Sequence, residues 1–200
     1  MQPSDTYRTL ARTSEGLYKE KGSKFIARAY PVKSEEEIKE IQEALKKEFF
    51  DARHHCYAWI MGAHSERYRA NDGGEPNHSA GDPILGQIRS LELTNTLVVV
   101  IRYFGGTKLG VSGLINAYKT AAAEALAANE IKEEIVMEHL KLQFGYGLTN
   151  EVMRLVSEFN MQVEDQSFTE TCRMQLLVRQ SLYPEALDKA QQIVGVEVNE

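Results

Sequence analysis

Residues 97–118, LVVVIRYFGGTKLGVSGLINAY, constrain the fold more than any other stretch, because a buried-strand signal passes through four glycines directly into a helix. Residues 97–101 are a continuous aliphatic and β-branched run, as expected of a strand covered on both faces. Gly105, Gly106, Gly110 and Gly113 let the backbone take positive φ or approach a ligand closely. Ser112 is placed to cap the helix that follows. The free N–H groups of the first helical turn then face whatever lies above the loop, and favour an anion by about 0.3–1 kcal/mol at an exposed site. Arg102 and Lys108 add positive charge beside them. The spacing is not that of a P-loop, since Lys108 is followed by Leu109 and Gly110, and it is not GxGxxG either. Two readings stay open: an anion or backbone-phosphate platform with no specific cofactor, and a tight turn whose glycines serve close helix packing.

The rest of the chain supplies elements around this unit. Residues 24–32 alternate as a strand, and Ser34 with Glu37 forms a capping box opening a helix to about residue 50, with Ile38, Ile41, Ala44, Leu45 and Phe49 at helical spacing. Residues 53–61 read as a strand with His55, Tyr57 and Trp59 on one face and His54, Cys56, Ala58 and Ile60 on the other. A loop over 69–81 precedes a short helix that Asp82 is expected to cap, with Pro83 at its first position. The helix over 113–129 holds seven alanines, and Leu114, Tyr118, Ala121 and Ala125 form its expected buried stripe. The charged residues 130–134 mark a composition shift and the expected junction between a domain of residues 1–130 and one of residues 135–200. From residue 135 the order is strand (to 144), helix (149–159), strand (161–165), strand (168–178), helix (184–194) and strand (196–198). This is the β-α-β-β-α-β plan of a ferredoxin-like domain.

The loop over 71–81 concentrates turn-forming and polar residues beyond what a connection requires. Asp72, Glu75 and His78 could bind a ligand or position a water, with His55 pointing toward them from its strand; the alternative is hydrogen-bonded turn chemistry. No i,i+4 or CxxC pattern supports a metal, so none is expected. A nucleophile reading of Cys56 or Ser79 gains nothing from adjacent histidines, because strand neighbours face opposite ways, and there is no GxSxG elbow. Lys24, in KGSK, is a second candidate basic contact, or part of a solvated turn.

Charge limits the partners. The net charge of −6 divides into +2 over residues 1–120 and −8 over residues 121–200. Indiscriminate binding to a polyanion is therefore disfavoured, while a local basic site on the N-terminal part is not. No apolar run approaches the roughly 20 residues that span a bilayer. The first residues lack the apolar core of a secretory signal, so the expected location is cytoplasmic and no membrane partner is expected. Cys56 and Cys172 fall in separate expected domains, which disfavours a disulfide.

Residues 102–118 resemble the signature of the IMPACT family, in its bacterial YigZ-type branch. KGSKFIA at 21–27, HHCYAW at 54–59 and NDGGEPNHSAGDPIL at 71–85 match in the same order. Together they span roughly residues 15–130. The chain departs from the pattern at Gly73, where a second acidic residue is usual, and at Ser112, where a glycine is usual. The resemblance implies an α+β protein of two domains, the first like domain 2 of ribosomal protein S5 and the second ferredoxin-like, a pair similar to the last two domains of elongation factor G. Eukaryotic relatives restrain a starvation-sensing kinase by competing for its activator, through an added N-terminal domain that nothing in these residues matches. The expectation is a non-enzymatic protein without cofactor that binds RNA, the ribosome or a regulatory protein partner in the regulation of translation. The alternative is a hydrolase-like enzyme acting on an anionic metabolite or peptide in the glycine-loop cleft.

Overall fold

A computed structural model describes residues 5–169 and 171–199. The chain divides into two compact units: Tyr7–Glu134, and a smaller one whose described residues are 5–6, 135–169 and 171–199. Strands β1 (Thr6–Leu10) and β7 (Ile131–Ile135) pair with each other, so the charged residues expected to form a junction are mostly strand.

In the larger unit, β2 (Ser14–Glu20), β3 (Ser23–Pro31), β4 (His54–Met61), β5 (Arg67–Asn71) and β6 (Thr96–Tyr103) form one sheet in the order β2-β3-β6-β4-β5. Every neighbouring pair is antiparallel. The central strand is β6, which explains its unbroken apolar run. Val98 and Val100 pack under α2 (Gly81–Ser90) and α3 (Gly110–Ala127), while Leu97, Val99 and Ile101 pack under α1 (Glu35–Glu48). Each of these five side chains is at most 1% exposed, and full burial of one such side chain stabilises by about 1.5–3 kcal/mol.

Alanine and glycine set how closely α3 approaches the sheet. A Cβ on Gly16 of β2 would lie 2.4 Å from the Ala125 nitrogen, so strand and helix meet backbone to backbone. Ala27 and Ala29 on β3 and Ala121, Ala122 and Ala125 on α3 complete this interface. At the start of α1 the Ser34 hydroxyl accepts from the Glu37 N–H (3.1 Å), and the Glu37 carboxylate accepts from the N–H of Lys33 (2.7 Å), one residue before the usual partner in a capping box.

Two local expectations are corrected. Residues 67–71 are strand β5, an exposed edge strand whose polar sequence hides it, and this shortens the loop before α2. Asp82 sits in the first turn of α2 and does not cap it. The capping is done by Asp72, whose Oδ1 accepts from the N–H groups of Ala80 (3.0 Å) and Gly81 (2.9 Å).

The smaller unit contains β8 (Met137–Gly145), α4 (Thr149–Glu158), β9 (Gln162–Phe168), β10 (Thr171–Arg179), α5 (Tyr183–Gln192) and β11 (Val196–Asn199). Its antiparallel sheet runs β11-β8-β10-β9, which is the ferredoxin-like arrangement. The hairpin between β9 and β10 turns after Phe168, later than the sequence pattern suggests, because β9 is a solvated edge strand with no apolar face to mark its end. Asp5 belongs to this unit. Its carbonyl accepts from the Val136 N–H (2.7 Å), and its carboxylate pairs with the Arg179 guanidinium (2.8 Å to Nη2). The Arg179 hydrogen bonds hold that carboxyl well below the usual range. The chain is thus α+β with two units, as the family resemblance implied.

Candidate functional site

The glycine loop carries its glycines for two different reasons. Gly105 lies against the Lys21-Gly22 turn between β2 and β3, where an added Cβ would fall 1.9 Å from the Gly22 carbonyl carbon; its N–H donates to the Ser23 Oγ (3.1 Å). Gly110, at φ +72°, instead has open space around it and serves conformation. That positive φ lets α3 begin at Gly110, three residues before the expected start. Ser112 therefore lies inside the first turn and is not the cap, which corrects the sequence expectation. Leu109 occupies the N-cap position with no side-chain hydrogen bond to the helix. The first-turn N–H groups are left for solvent or a ligand.

Arg102 is not the surface cation the sequence suggested. It follows Val98 and Val100 in strand parity, so it points to the α3 side of the sheet, where it is 6% exposed. Its Nη1 donates to Glu75 Oε1 at 2.6 Å, and the Tyr118 hydroxyl donates to the same oxygen at 2.8 Å. Phe25 closes the group: its ring meets Tyr118 edge-on (5.1 Å, 84°) and lies 5.4 Å from the Arg102 guanidinium. Burial is the largest influence on the Tyr118 hydroxyl and pushes its pKa far up, so it remains a phenol. Glu75 and Arg102 thus neutralise each other inside the protein. The Arg102 guanidinium also lies over the exposed ring of Phe104 (5.6 Å), a residue that sequence reasoning passed over although it directly precedes the glycine pair.

Two clefts flank Phe104. One, of about 350 Å³, is lined by Glu75, Pro76, Lys108, Gly110, Val111 and Phe104 itself. The other, of about 400 Å³, is lined by Asp51, Arg53, His54, Tyr103 and Phe104 over Arg102. Lys108 is exposed and makes no ion pair among the described residues. Gly106 has positive φ (+89°) in open space, and Gly113 packs against Leu109 within the helix. The surface this builds is an exposed aromatic ridge beside a cation and an uncapped helix N-terminus.

The 71–81 loop supports this site from beneath. Besides capping α2, the Asp72 carboxylate accepts from the His78 N–H (2.9 Å). Burial would raise the Asp72 pKa, but the three backbone donors from Gly81, His78 and Ala80 outweigh it and leave the carboxyl lowered. His78 is exposed and its ring is hydrogen-bonded to Asp82 (2.6 Å), which raises its pKa. His55 faces the α1 side of the sheet, in a cleft whose lining includes Asn71 and Gly73 of this loop but not Asp72, Glu75 or His78; the ring hydrogen-bonded to the loop is His54, whose Nδ1 lies 3.0 Å from the Gly73 carbonyl. Lys24 is exposed on β3, paired in register with Tyr103.

The nucleophile candidates are structural. Burial pushes the Cys56 thiol up to about 12, and its Sγ lies 3.0 Å from the Asp72 carbonyl. Ser79 is fully buried and its hydroxyl donates to the Pro76 carbonyl (2.6 Å). Among the described residues no three His, Cys, Asp or Glu side chains converge as a metal site, and no helix is long and apolar enough to cross a membrane.

Residues 21–126 match the Impact N-terminal domain, a span that holds the sheet from β3 onward, the 71–81 loop and the glycine platform. The chain is 31% identical over 158 residues to the IMPACT family member YvyE of Bacillus subtilis, covering 79% of this chain and 73% of that protein. It is 35% identical over 128 residues to the IMPACT family member YigZ of Escherichia coli, covering 63% of each. A crystal structure of a hypothetical protein superposes with a TM-score of 0.76 at 25% identity, over 97% of this chain and 96% of that one. With its characteristic domain matched over more than half its length, the chain belongs to the IMPACT family.

Proposed function

We propose that this chain is a non-enzymatic, cytoplasmic RNA-binding protein that acts in the regulation of translation by contacting single-stranded RNA, on the ribosome or alone, at the Phe104 ridge. The observation that carries the reading is the 57% exposed ring of Phe104 standing beside Lys108 and the uncapped start of α3. A base stacks on an exposed ring with about 1–3 kcal/mol, without sequence preference. The adjacent phosphate then meets a cation and free backbone N–H groups. Arg102, fixed beneath the ring by Glu75, enriches the platform without spending its charge on the phosphate. Membership of the IMPACT family supports the link to translation, because eukaryotic relatives act on that process. The test is sedimentation with ribosomes at several salt concentrations. Co-sedimentation that weakens as salt rises supports the proposal; a chain that stays in the supernatant even at low salt and also shows no salt-dependent affinity for free single-stranded RNA refutes it.

A further inference from the structure

The face of the sheet opposite the glycine platform has a third cleft, of about 330 Å³, between α1 and strands β4 and β6. Its polar lining is Gln42, Lys46, Arg53, His55, Tyr57 and Asn71, without a carboxylate. Lys46 and Arg53 make no ion pair among the described residues. Two further nitrogens at this cleft, Gln42 Nε2 and His55 Nε2, are buried and have no hydrogen-bond partner. Unsatisfied buried polar atoms are rare in folded proteins, and here two of them lie on one cavity. The terminal torsion of a glutamine amide is soft, so Gln42 turns into the cleft at little cost.

We propose that this cleft binds hydrogenphosphate, with Lys46, Arg53 and the Gln42 amide donating to phosphate oxygens and His55 Nε2 accepting from the phosphate hydroxyl. The cleft volume falls in the range of about 300–1,000 Å³ usual for small-molecule sites. The His55 ring is hydrogen-bonded to the Phe49 backbone; with Nε2 unpartnered, that bond belongs to Nδ1, and Nε2 carries the lone pair. Burial first, then the charge of Lys46, lowers the His55 pKa, so the ring is neutral near pH 7 and accepts a hydrogen bond there. Hydrogenphosphate offers both a hydroxyl to donate and charged oxygens to accept. A carboxylate or sulfate offers only acceptors at that pH, and leaves Nε2 facing a lone pair.

The experiment is a titration of the full chain with inorganic phosphate at constant ionic strength, followed by proton NMR of the histidine rings, with the His55 signals assigned from their loss in His55→Gln. Saturable movement of the His55 signals is expected, with binding weakened about tenfold or more in Lys46→Met, the usual effect of losing a charged hydrogen bond. Lys108→Ala should leave the titration unchanged, which separates this site from the RNA platform whatever the fate of that reading. Sulfate should bind several-fold more weakly. His55 signals that do not move, that drift without saturating, or that respond equally in Lys46→Met overturn the proposal, as does sulfate binding as tightly as phosphate.

Discussion

Replacing Glu75 by Gln tests whether Arg102 is held as a structural cation. The substitution keeps the shape and removes the charge, so the buried guanidinium loses its carboxylate while its Nε already lacks a partner. Breaking a buried pair from one side costs about 3–5 kcal/mol. For a unit of this size, at roughly 3–4 °C per kcal/mol, the unfolding midpoint falls by about 10–20 °C. Tyr118→Phe keeps the edge-on contact with Phe25 and removes the hydroxyl that bonds Glu75 and meets the Cys56 thiol, so its expected loss is smaller, about 1.5–3 kcal/mol. Changing both charges, Glu75→Leu with Arg102→Met, should recover most of the loss, because an apolar pair of similar volume replaces an ion pair without leaving a lone charge. The assay is urea and thermal unfolding followed by the fluorescence of Trp59, the only tryptophan, which lies in the core of the larger unit and reports on that unit. A Glu75→Gln loss below about 1 kcal/mol would refute the argument, since a solvent-exposed pair is worth no more than that.

Gly16→Ala should destabilise the larger unit by about 1–3 kcal/mol or more, because its Cβ would meet the α3 backbone at 2.4 Å and no flexible side chain can yield; chemical denaturation reads it. Asp72 has a folded-state pKa below its unfolded value of about 3.9, so its contribution is complete above that pH and is lost as pH falls through the lowered value. Acid unfolding of Asp72→Asn should accordingly be less steep in that window than that of the wild type. Gly110→Val should reduce both stability and RNA binding, since a β-branched residue resists φ +72° at the entry to α3, and circular dichroism with a binding titration separates the two effects.

The parts of the fold legible in the sequence are those where one physical pattern dominates. The unbroken run of β6, the alanine stripe of α3 and the six alternating elements of the ferredoxin-like unit announce themselves by period. Strand β5 and the far end of β9 do not, because both lie in solvated edge strands without a buried apolar face. At the site, the glycine loop and the exposed Lys108 were legible. The burial of Arg102 was not, because its partner Glu75 lies 27 residues away and only the fold joins them; strand parity with Val98 and Val100 was the available sign. His55 follows parity onto the face with Trp59, where Asn71 and Gly73 at the start of the loop share its cleft while Asp72, Glu75 and His78 are not in that lining; only the fold tells these loop residues apart. The start of α3 was misread because a positive-φ glycine, not a serine hydroxyl, turns the chain into the helix.

Equilibrium binding of single-stranded RNA across a salt series reads the Phe104 and Lys108 platform itself. Lys108→Ala should lower the salt dependence by about 0.7 in the slope of log K against log salt, the value for one lost phosphate contact on a single strand. Phe104→Ala should weaken binding by about 1–3 kcal/mol, the loss of one stacked base, with the slope unchanged. Both variants should keep the wild-type unfolding midpoint, because both side chains are exposed. Wild-type affinity and slope in both variants, or no salt-dependent binding by the wild type itself, would contradict the account.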